Sequence, residues 1–108
     1  MAGVPQVSVQ ELQQLRGRGE QVVVLDVRER WEVAIAALPQ SLHIPLNEIP
    51  PRLKELDADS AIIVLCKVGG RSQRAAEFLV NQGFTRVSNL RGGIDAWARE
   101  IDPNLPTY

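Results

Sequence analysis

The one cysteine of the chain, Cys66, ends an apolar run and opens a short loop that contains glycine and cations. The residues that follow it are Lys67, Val68, Gly69, Gly70, Arg71 and Ser72. Glycine adopts positive φ at little cost, so the Gly-Gly pair lets the loop turn its backbone N–H groups inward. Such a nest, followed by a helix N-terminus, favours an anion at its centre. The pattern therefore predicts a Cys66 thiolate whose pKa lies below the free value of about 8.5.

A thiolate of low pKa suits both sulfur transfer and phosphoester hydrolysis, and the length of the loop helps to choose between them. Cysteine-dependent phosphatases use a Cys-x5-Arg loop, whereas Cys66 to Arg71 is Cys-x4-Arg. The shorter loop should form a tighter ring of N–H groups, which suits a terminal sulfur better than a phosphoryl group. A phosphatase or arsenate reductase stays an alternative, with Asp95 as the open candidate for its general acid.

The plain alternative for Cys66 is an inert cysteine at the end of a strand, because free cysteines are often buried. An inert strand end does not need a Gly-Gly turn flanked by cations, so the sequence favours a reactive thiol. Lys67, Arg71 and Arg74 could be solvated charges. Arg71 lies inside the loop and is the least expected of the three to be idle. Lys67 is expected to lower the pKa of Cys66 or to orient an anionic donor.

The elements that must position this loop are strands alternating with helices. Short, continuous β-branched runs at 22–27 and 61–66 predict buried parallel strands, and shorter strands are predicted at 41–44 and 87–90. Ligands of open α/β sheets bind beyond the carboxyl ends of the strands, which is where Cys66 stands.

Helical patterns fill the intervals between these strands. A capping box at Ser8 to Glu11 begins the first helix, and apolar faces on the later segments include Trp31 and Trp97, both predicted to be core residues. The predicted helical segments after the first are 29–38, 49–56, 72–82 and 94–101. Alternating strands and helices predict an α/β fold with a parallel sheet and helices on both faces.

Length and composition limit the function classes. The 108 residues suit one domain over 1–108, with 1–4 expected to be disordered or of non-native origin and 103–108 expected to be a tail. A net charge of -1 argues against nucleic-acid binding, and the chain has no apolar run long enough to span a membrane. One cysteine and no visible secretory signal favour the cytoplasm. His43 stands alone, so we expect a hydrogen-bonded core histidine and no metal site.

Three segments in order along the chain resemble the rhodanese family and together cover nearly all of it. They are Leu25-Asp26-Val27-Arg28 with Glu32, Cys66 to Ser72, and Asn89-Leu90-Arg91-Gly92-Gly93-Ile94 through Trp97. They are similar to the family's D-V-R-E-x-x-E, C-x-x-G-x-R-S and L-x-G-G-x-x-x-W motifs. The resemblance implies a single rhodanese-like domain and a sulfurtransferase that carries sulfane sulfur as a Cys66 persulfide. It implies thiosulfate or the persulfide of a cysteine desulfurase as the donor, and no metal or organic cofactor.

The segments 38–46 and 101–108 resemble a subgroup, the rhodanese domains at the C-terminus of E1-like adenylyltransferase–sulfurtransferases. This implies a ubiquitin-fold sulfur carrier as the acceptor and an E1-like adenylyltransferase domain as a partner. The stretch 36–41 departs from the family's G-H-I-P-G-A, because it lacks the histidine. A non-catalytic rhodanese-like docking module is the remaining alternative, although such modules usually lose the cysteine.

The other motif residues are interpreted as structural support for the loop. Asp26 ends a strand and is expected to accept N–H bonds from the following loop, while Arg28 is expected to pair with Glu32, four residues on. Gly92 and Gly93 are expected to form a tight turn that places the last helix near Cys66.

Overall fold

A computed structural model describes residues 3–108; the expectation for residues 1 and 2 lies outside that range. Its centre is a sheet of five parallel strands in the order β1-β5-β4-β2-β3. The strands are β1 (Gln6–Val7), β2 (Val23–Asp26), β3 (Ser41–His43), β4 (Ile62–Leu65) and β5 (Val87–Leu90). Just before β1, Val4 packs against the core.

Four α-helices accompany the strands: three connect consecutive strands and the fourth follows the last strand. They are α1 (Val9–Gly17), α2 (Arg30–Ile35), α3 (Gly70–Asn81) and α4 (Gly93–Glu100). In place of the helix predicted over 49–56 the chain forms a short 3-10 turn at Leu53–Glu55, and another 3-10 turn, Leu46–Glu48, precedes that range. No helix within residues 3–108 combines the length and the apolar character that crossing a bilayer requires.

The two faces of the sheet carry separate apolar clusters. Successive residues of a strand point to opposite faces, and in β4 Ile62 and Val64 belong to the cluster under α3, while Ile63 and Leu65 belong to the other. The second cluster includes residues of α1 and α4, with Trp97 only 8% exposed. The predicted α/β fold, with a parallel sheet and helices on both faces, is confirmed.

Several local predictions are corrected. Helix α2 has six residues instead of the ten predicted, since Ala36 is already extended, and Trp31 is 61% exposed instead of buried. Helix α3 begins at Gly70, two residues before the predicted start. The two-residue strand β1 was not predicted, because so short an element has no periodic pattern.

Candidate functional site

Cys66 follows β4 directly and is 1% exposed. Gly69, at φ +119, turns the chain into α3, and its backbone N–H donates to Cys66 Sγ at 3.1 Å. Gly70, Arg71 and Ser72 therefore form the first turn of α3 and are not a separate loop. The positive end of the α3 dipole adjoins the sulfur, as an anion site requires.

Helix α4 holds the other side of this loop. The N–H of Ile94 donates to the carbonyl of Cys66 at 2.9 Å, and the N–H of Asp95 donates to the carbonyl of Lys67 at 3.1 Å. A Cβ on Gly93 would lie 2.5 Å from the Cys66 carbonyl oxygen, so only glycine allows this approach. The structure thus brings the Gly92-Gly93 turn against the Cys66 loop.

The surroundings of the thiol favour its ionised form. Burial raises the pKa of Cys66, but hydrogen bonds from the Ser72 hydroxyl and from the backbone N–H groups of Ser72, Gly69 and Val68 outweigh that effect. The pKa of the thiol is therefore below its ordinary value, in the direction that the sequence predicted. The cause is hydrogen bonding, whereas the sequence also predicted a contribution from nearby cations.

Lys67 in the loop and Arg71 in the first turn of α3 are both held by carboxylates. Lys67 Nζ lies 2.8 Å from Asp95 Oδ2. Arg71 donates two hydrogen bonds to Glu32, at 2.6 and 2.9 Å, and so fastens the start of α3 to α2. Arg74 is exposed on α3. The loop cations therefore serve as anchors for the loop, and Asp95, the candidate acid of a phosphatase, is engaged by Lys67.

The predicted pair between Arg28 and Glu32 is wrong. Arg28 binds Asp26 through three guanidinium contacts of 2.7 to 3.1 Å, with both side chains almost fully buried. It also donates to the Ala36 carbonyl at 2.7 Å. Asp26 ends β2 and Arg28 lies two residues further on, so their side chains meet, whereas Glu32 on α2 binds Arg71. Asp26 accepts the Arg28 backbone N–H at 3.0 Å, as expected for a strand-end carboxylate.

Glu32 is nearly buried and strongly acidic. The Arg71 hydrogen bonds lower its pKa, burial raises it, and hydrogen bonds from Tyr108 and from the Glu29 backbone lower it further, to about 2. The Glu29 N–H lies 2.9 Å from Glu32 Oε1, which also caps α2. One carboxylate thus connects α2, α3 and the end of the chain.

Tyr108 is a site residue that the sequence analysis missed. Its hydroxyl donates to Glu32 Oε2 at 2.6 Å and accepts from Arg28 Nη1 at 3.0 Å. Its ring centroid lies 4.9 Å from Lys67 Nζ and 5.7 Å from the ring of Trp31. These contacts explain the place of the exposed Trp31. The only signal in the sequence was the likeness of the segment 101–108 to the subgroup.

Asn89 is the second site residue that was given no role. It lies on β5, is 3% exposed, and accepts the Ser72 hydroxyl at 2.5 Å. It belongs to the third of the motif segments, 89–97. A polar side chain inside a buried strand was the signal that it needs a hydrogen-bond partner.

His43 was the remaining candidate, and its contacts are those of a hydrogen-bonded side chain. His43 is half-buried, and its Nε2 lies 2.7 Å from the Arg28 carbonyl oxygen. Among residues 3–108, no group of three or more His, Cys, Asp or Glu side chains is placed to hold a metal ion. The arrangement around Cys66 is an N–H-lined cradle for one anionic sulfur.

Comparison with known proteins identifies the family. Residues 8–100 match the rhodanese-like domain family. The chain is 38% identical over 96 residues to a sulfurtransferase of Allochromatium vinosum, which covers 89% of this chain and 90% of that one. It is 35% identical to the adenylyltransferase and sulfurtransferase MOCS3 of Arabidopsis thaliana, covering 94% of this chain but only 25% of that protein.

Solved structures with a similar fold include a protein described as rhodanese-related. The crystal structure of a rhodanese-related protein from Thermoplasma volcanium superposes with a TM-score of 0.82 at 31% identity, over 90% of this chain and 93% of that one. The likeness of segments 38–46 and 101–108 to adenylyltransferase–sulfurtransferases agrees with the match to the Arabidopsis protein. With sequence, fold and cysteine loop in agreement, the chain belongs to the rhodanese-like domain family.

Proposed function

We propose that the chain is a sulfurtransferase in which Cys66 carries sulfane sulfur as a persulfide. The observation that carries the proposal is the backbone cradle at Cys66, where the Gly69 N–H donates to Sγ at 3.1 Å at the start of α3. N–H groups aimed at one sulfur stabilise a thiolate before the reaction and a persulfide anion after it.

The reaction has two displacements. The Cys66 thiolate attacks the outer sulfur of thiosulfate, the S–S bond of the donor breaks, and sulfite leaves with the electron pair. With a protein persulfide as the donor, the leaving group is the donor's cysteine thiolate. A nucleophilic acceptor such as cyanide then attacks the outer sulfur of the Cys66 persulfide, and the Cys66 thiolate leaves. With an adenylated carrier C-terminus as the acceptor, the outer sulfur of the persulfide instead attacks the carbonyl carbon and AMP leaves. An external dithiol then reduces the resulting acyl disulfide, which releases the carrier thiocarboxylate and the Cys66 thiol.

The donor is proposed to be thiosulfate or the persulfide of a cysteine desulfurase. The acceptor is proposed to be the C-terminus of a ubiquitin-fold sulfur carrier, in a relay with an E1-like adenylyltransferase. The similarity to an adenylyltransferase and sulfurtransferase supports this relay. The cytoplasm suits the role, because a reducing compartment keeps the one cysteine available as a thiol.

The supporting residues have distinct proposed roles. Lys67 and Arg71 hold the loop through Asp95 and Glu32, and Ser72 contacts Sγ at 3.3 Å. The remaining loop and support residues provide backbone N–H groups, close packing or buried pairing. They are Val68, Gly69, Gly70, Asp26, Arg28, Gly92, Gly93 and Trp97.

Intact-mass measurement tests the proposal. The protein is incubated with thiosulfate, and in parallel with a persulfidated cysteine desulfurase, and is then freed of the donor. We expect a gain of one sulfur atom that dithiothreitol removes and that Cys66→Ala does not show. No sulfur gain from either donor would contradict the proposal and favour a docking module.

A further inference from the structure

The Ser72 hydroxyl has one proton and two neighbours that can accept it. Its Oγ lies 3.3 Å from Cys66 Sγ and 2.5 Å from Asn89 Oδ1. All three residues are buried, at 1%, 0% and 3% exposure for Cys66, Ser72 and Asn89. Since a hydroxyl donates a single hydrogen bond, Ser72 donates to one of these atoms at a time.

The orientation of the Asn89 amide decides which atom receives the proton. Asn89 Nδ2 donates to the Gly69 carbonyl at 3.3 Å and to Gln6 Oε1 at 3.0 Å. The Gln6 amide is oriented in turn by its Nε2, which donates to the Val4 carbonyl at 3.2 Å. Carbonyl oxygens only accept, so the NH2 group of Asn89 must face them and its Oδ1 must face Ser72. While the thiol is neutral, Ser72 therefore donates to Asn89, at the shorter of its two contacts.

This arrangement treats the two ionisation states of Cys66 differently. A neutral thiol can donate its S–H to Ser72 Oγ while Ser72 keeps its bond to Asn89. A thiolate only accepts hydrogen bonds, so beyond the backbone N–H groups it gains the Ser72 bond only when Ser72 rotates its proton toward Sγ, which leaves the buried Asn89 Oδ1 without that partner. Asn89 thus opposes ionisation, while the backbone N–H groups favour it.

The charged groups around the thiol are already paired with one another. They lie on the loop, α2, α3, α4 and the end of β2, as the pairs Lys67–Asp95, Arg71–Glu32 and Arg28–Asp26. Ser72 is neutral and is the side chain in hydrogen-bond contact with Sγ, so the direction of its O–H matters for the thiolate.

We propose that Asn89 is a positioning residue that competes with the Cys66 thiolate for the Ser72 proton and thereby sets the acidity of the thiol. It touches neither donor nor acceptor sulfur and acts through Ser72. No proton is exchanged between Ser72 and Cys66: the thiol proton leaves to solvent, and the Ser72 O–H only rotates. The proposal rests on the proposed function in one respect, that the thiolate is the reactive form.

The test measures the rate of Cys66 alkylation by iodoacetamide against pH, which reports this thiol alone because the chain has one cysteine. Asn89→Leu has no side-chain oxygen to accept the Ser72 hydrogen bond. In this variant the midpoint of the alkylation rate against pH should move down by about one pH unit, a tenfold change in the ionisation constant of Cys66. Asn89→Val, which suits a strand, gives the same test if the leucine variant does not fold. An unchanged or raised midpoint would overturn the proposal.

A double variant separates this role from a merely structural one. In a Ser72→Ala background, Asn89→Leu should leave the midpoint where Ser72→Ala alone puts it. A shift that persists in that background would overturn the proposal, because the effect would not pass through Ser72. Gln6→Ala is the matched control. It removes one acceptor of the Asn89 amide but keeps Gly69 and Ser72 as partners, and the midpoint should stay at the wild-type value.

This measurement uses no sulfur donor, so its outcome does not depend on the proposed function. A protein that gains no sulfur from either donor but shows the Asn89 shift would retain the inference and lose the sulfurtransferase proposal. A protein that gains sulfur on Cys66 but shows no shift would retain the activity and lose the role of Asn89.

Discussion

Two glutamates of this chain have the same local chemistry in different surroundings. Glu32 binds Arg71, and Glu48 binds Arg30 and Arg52. Hydrogen bonds from the arginines lower the pKa of each carboxyl to about 2. The Glu32 side chain is 3% exposed and the Glu48 side chain is 32% exposed.

The clusters around Glu32 and Glu48 differ in what can take the place of an ion-pair partner that is removed. Water and salt can replace a partner of Glu48, and exposed ion pairs contribute little to stability. A buried charge that loses its partner has no such replacement. The cluster of Asp26, Arg28, Glu32, Arg71 and Tyr108 joins the end of β2, α2 and the first turn of α3 beside the Cys66 loop, whereas the Glu48 cluster has no member in α3.

The largest expected effect comes from the most buried pair. Arg28→Met leaves the Asp26 carboxylate buried and unpaired, so we expect a loss of about 3–5 kcal/mol in the free energy of unfolding. Denaturant unfolding measures this loss, with Arg52→Met, in the exposed cluster, as the matched control. A loss in Arg28→Met no larger than in the control would remove the distinction between the clusters.

Glu32→Gln is expected to have the next largest effect, about 1.5–3 kcal/mol at neutral pH, because it removes the charge from hydrogen bonds to Arg71 and Tyr108. Folding lowers the pKa of Glu32. The contribution of the ionised Glu32 carboxylate to the free energy of unfolding is therefore complete above the ordinary pKa of 4.5 and is lost as pH falls through about 2. As pH is lowered between those limits, the free energies of unfolding of wild type and Glu32→Gln, measured from denaturant curves, should converge. A difference that stays constant with pH would contradict this account.

Tyr108→Phe tests how much a single hydroxyl contributes within the cluster around Glu32. It removes the hydroxyl shared by Glu32 and Arg28 but keeps the ring near Lys67. We expect a loss of about 1 kcal/mol in unfolding free energy and a slower sulfur transfer by the Cys66 loop. Comparing Tyr108→Phe with Tyr108→Ala in both assays separates the hydroxyl from the ring. Equal behaviour of wild type and Tyr108→Phe would show that the hydroxyl is dispensable.

The smallest effect is expected for Glu48→Gln. Its partners Arg30 and Arg52 remain in contact with water, so the unfolding midpoint should move less than in Glu32→Gln, and the difference from wild type should vanish at high salt. Urea, which is uncharged, is the suitable denaturant. A salt-independent loss as large as that of Glu32→Gln would show that exposure does not separate the two carboxylates.

The sequence predicted the centre of the sheet well because β2 and β4 lie in short β-branched apolar runs with clear ends. It also placed Cys66 at the carboxyl end of a strand, with a Gly-Gly turn behind it. The partner of Arg28 was mispredicted because a spacing of four suggests a helical pair, whereas the side chains project from a strand end and from α2.

The contributions of Tyr108 and Asn89 depend on contacts between distant parts of the chain. Tyr108 meets Glu32 across 76 positions, and Asn89 meets Ser72 across 17. No periodic pattern encodes such contacts, since they arise only when the parallel strands and the final segment are assembled. Trp31 was mispredicted for the same reason, because its ring contacts Tyr108 and not the core.

The most direct test of the central claim is a single turnover of the loaded protein. Persulfidated protein, freed of its donor, is mixed with cyanide, and thiocyanate is measured together with the intact mass. If Cys66 is a sulfur carrier, about one thiocyanate forms per persulfide present, and the mass returns to that of the thiol. Thiocyanate formation by Cys66→Ala treated in the same way, or a persulfide that cyanide leaves in place, would contradict the claim.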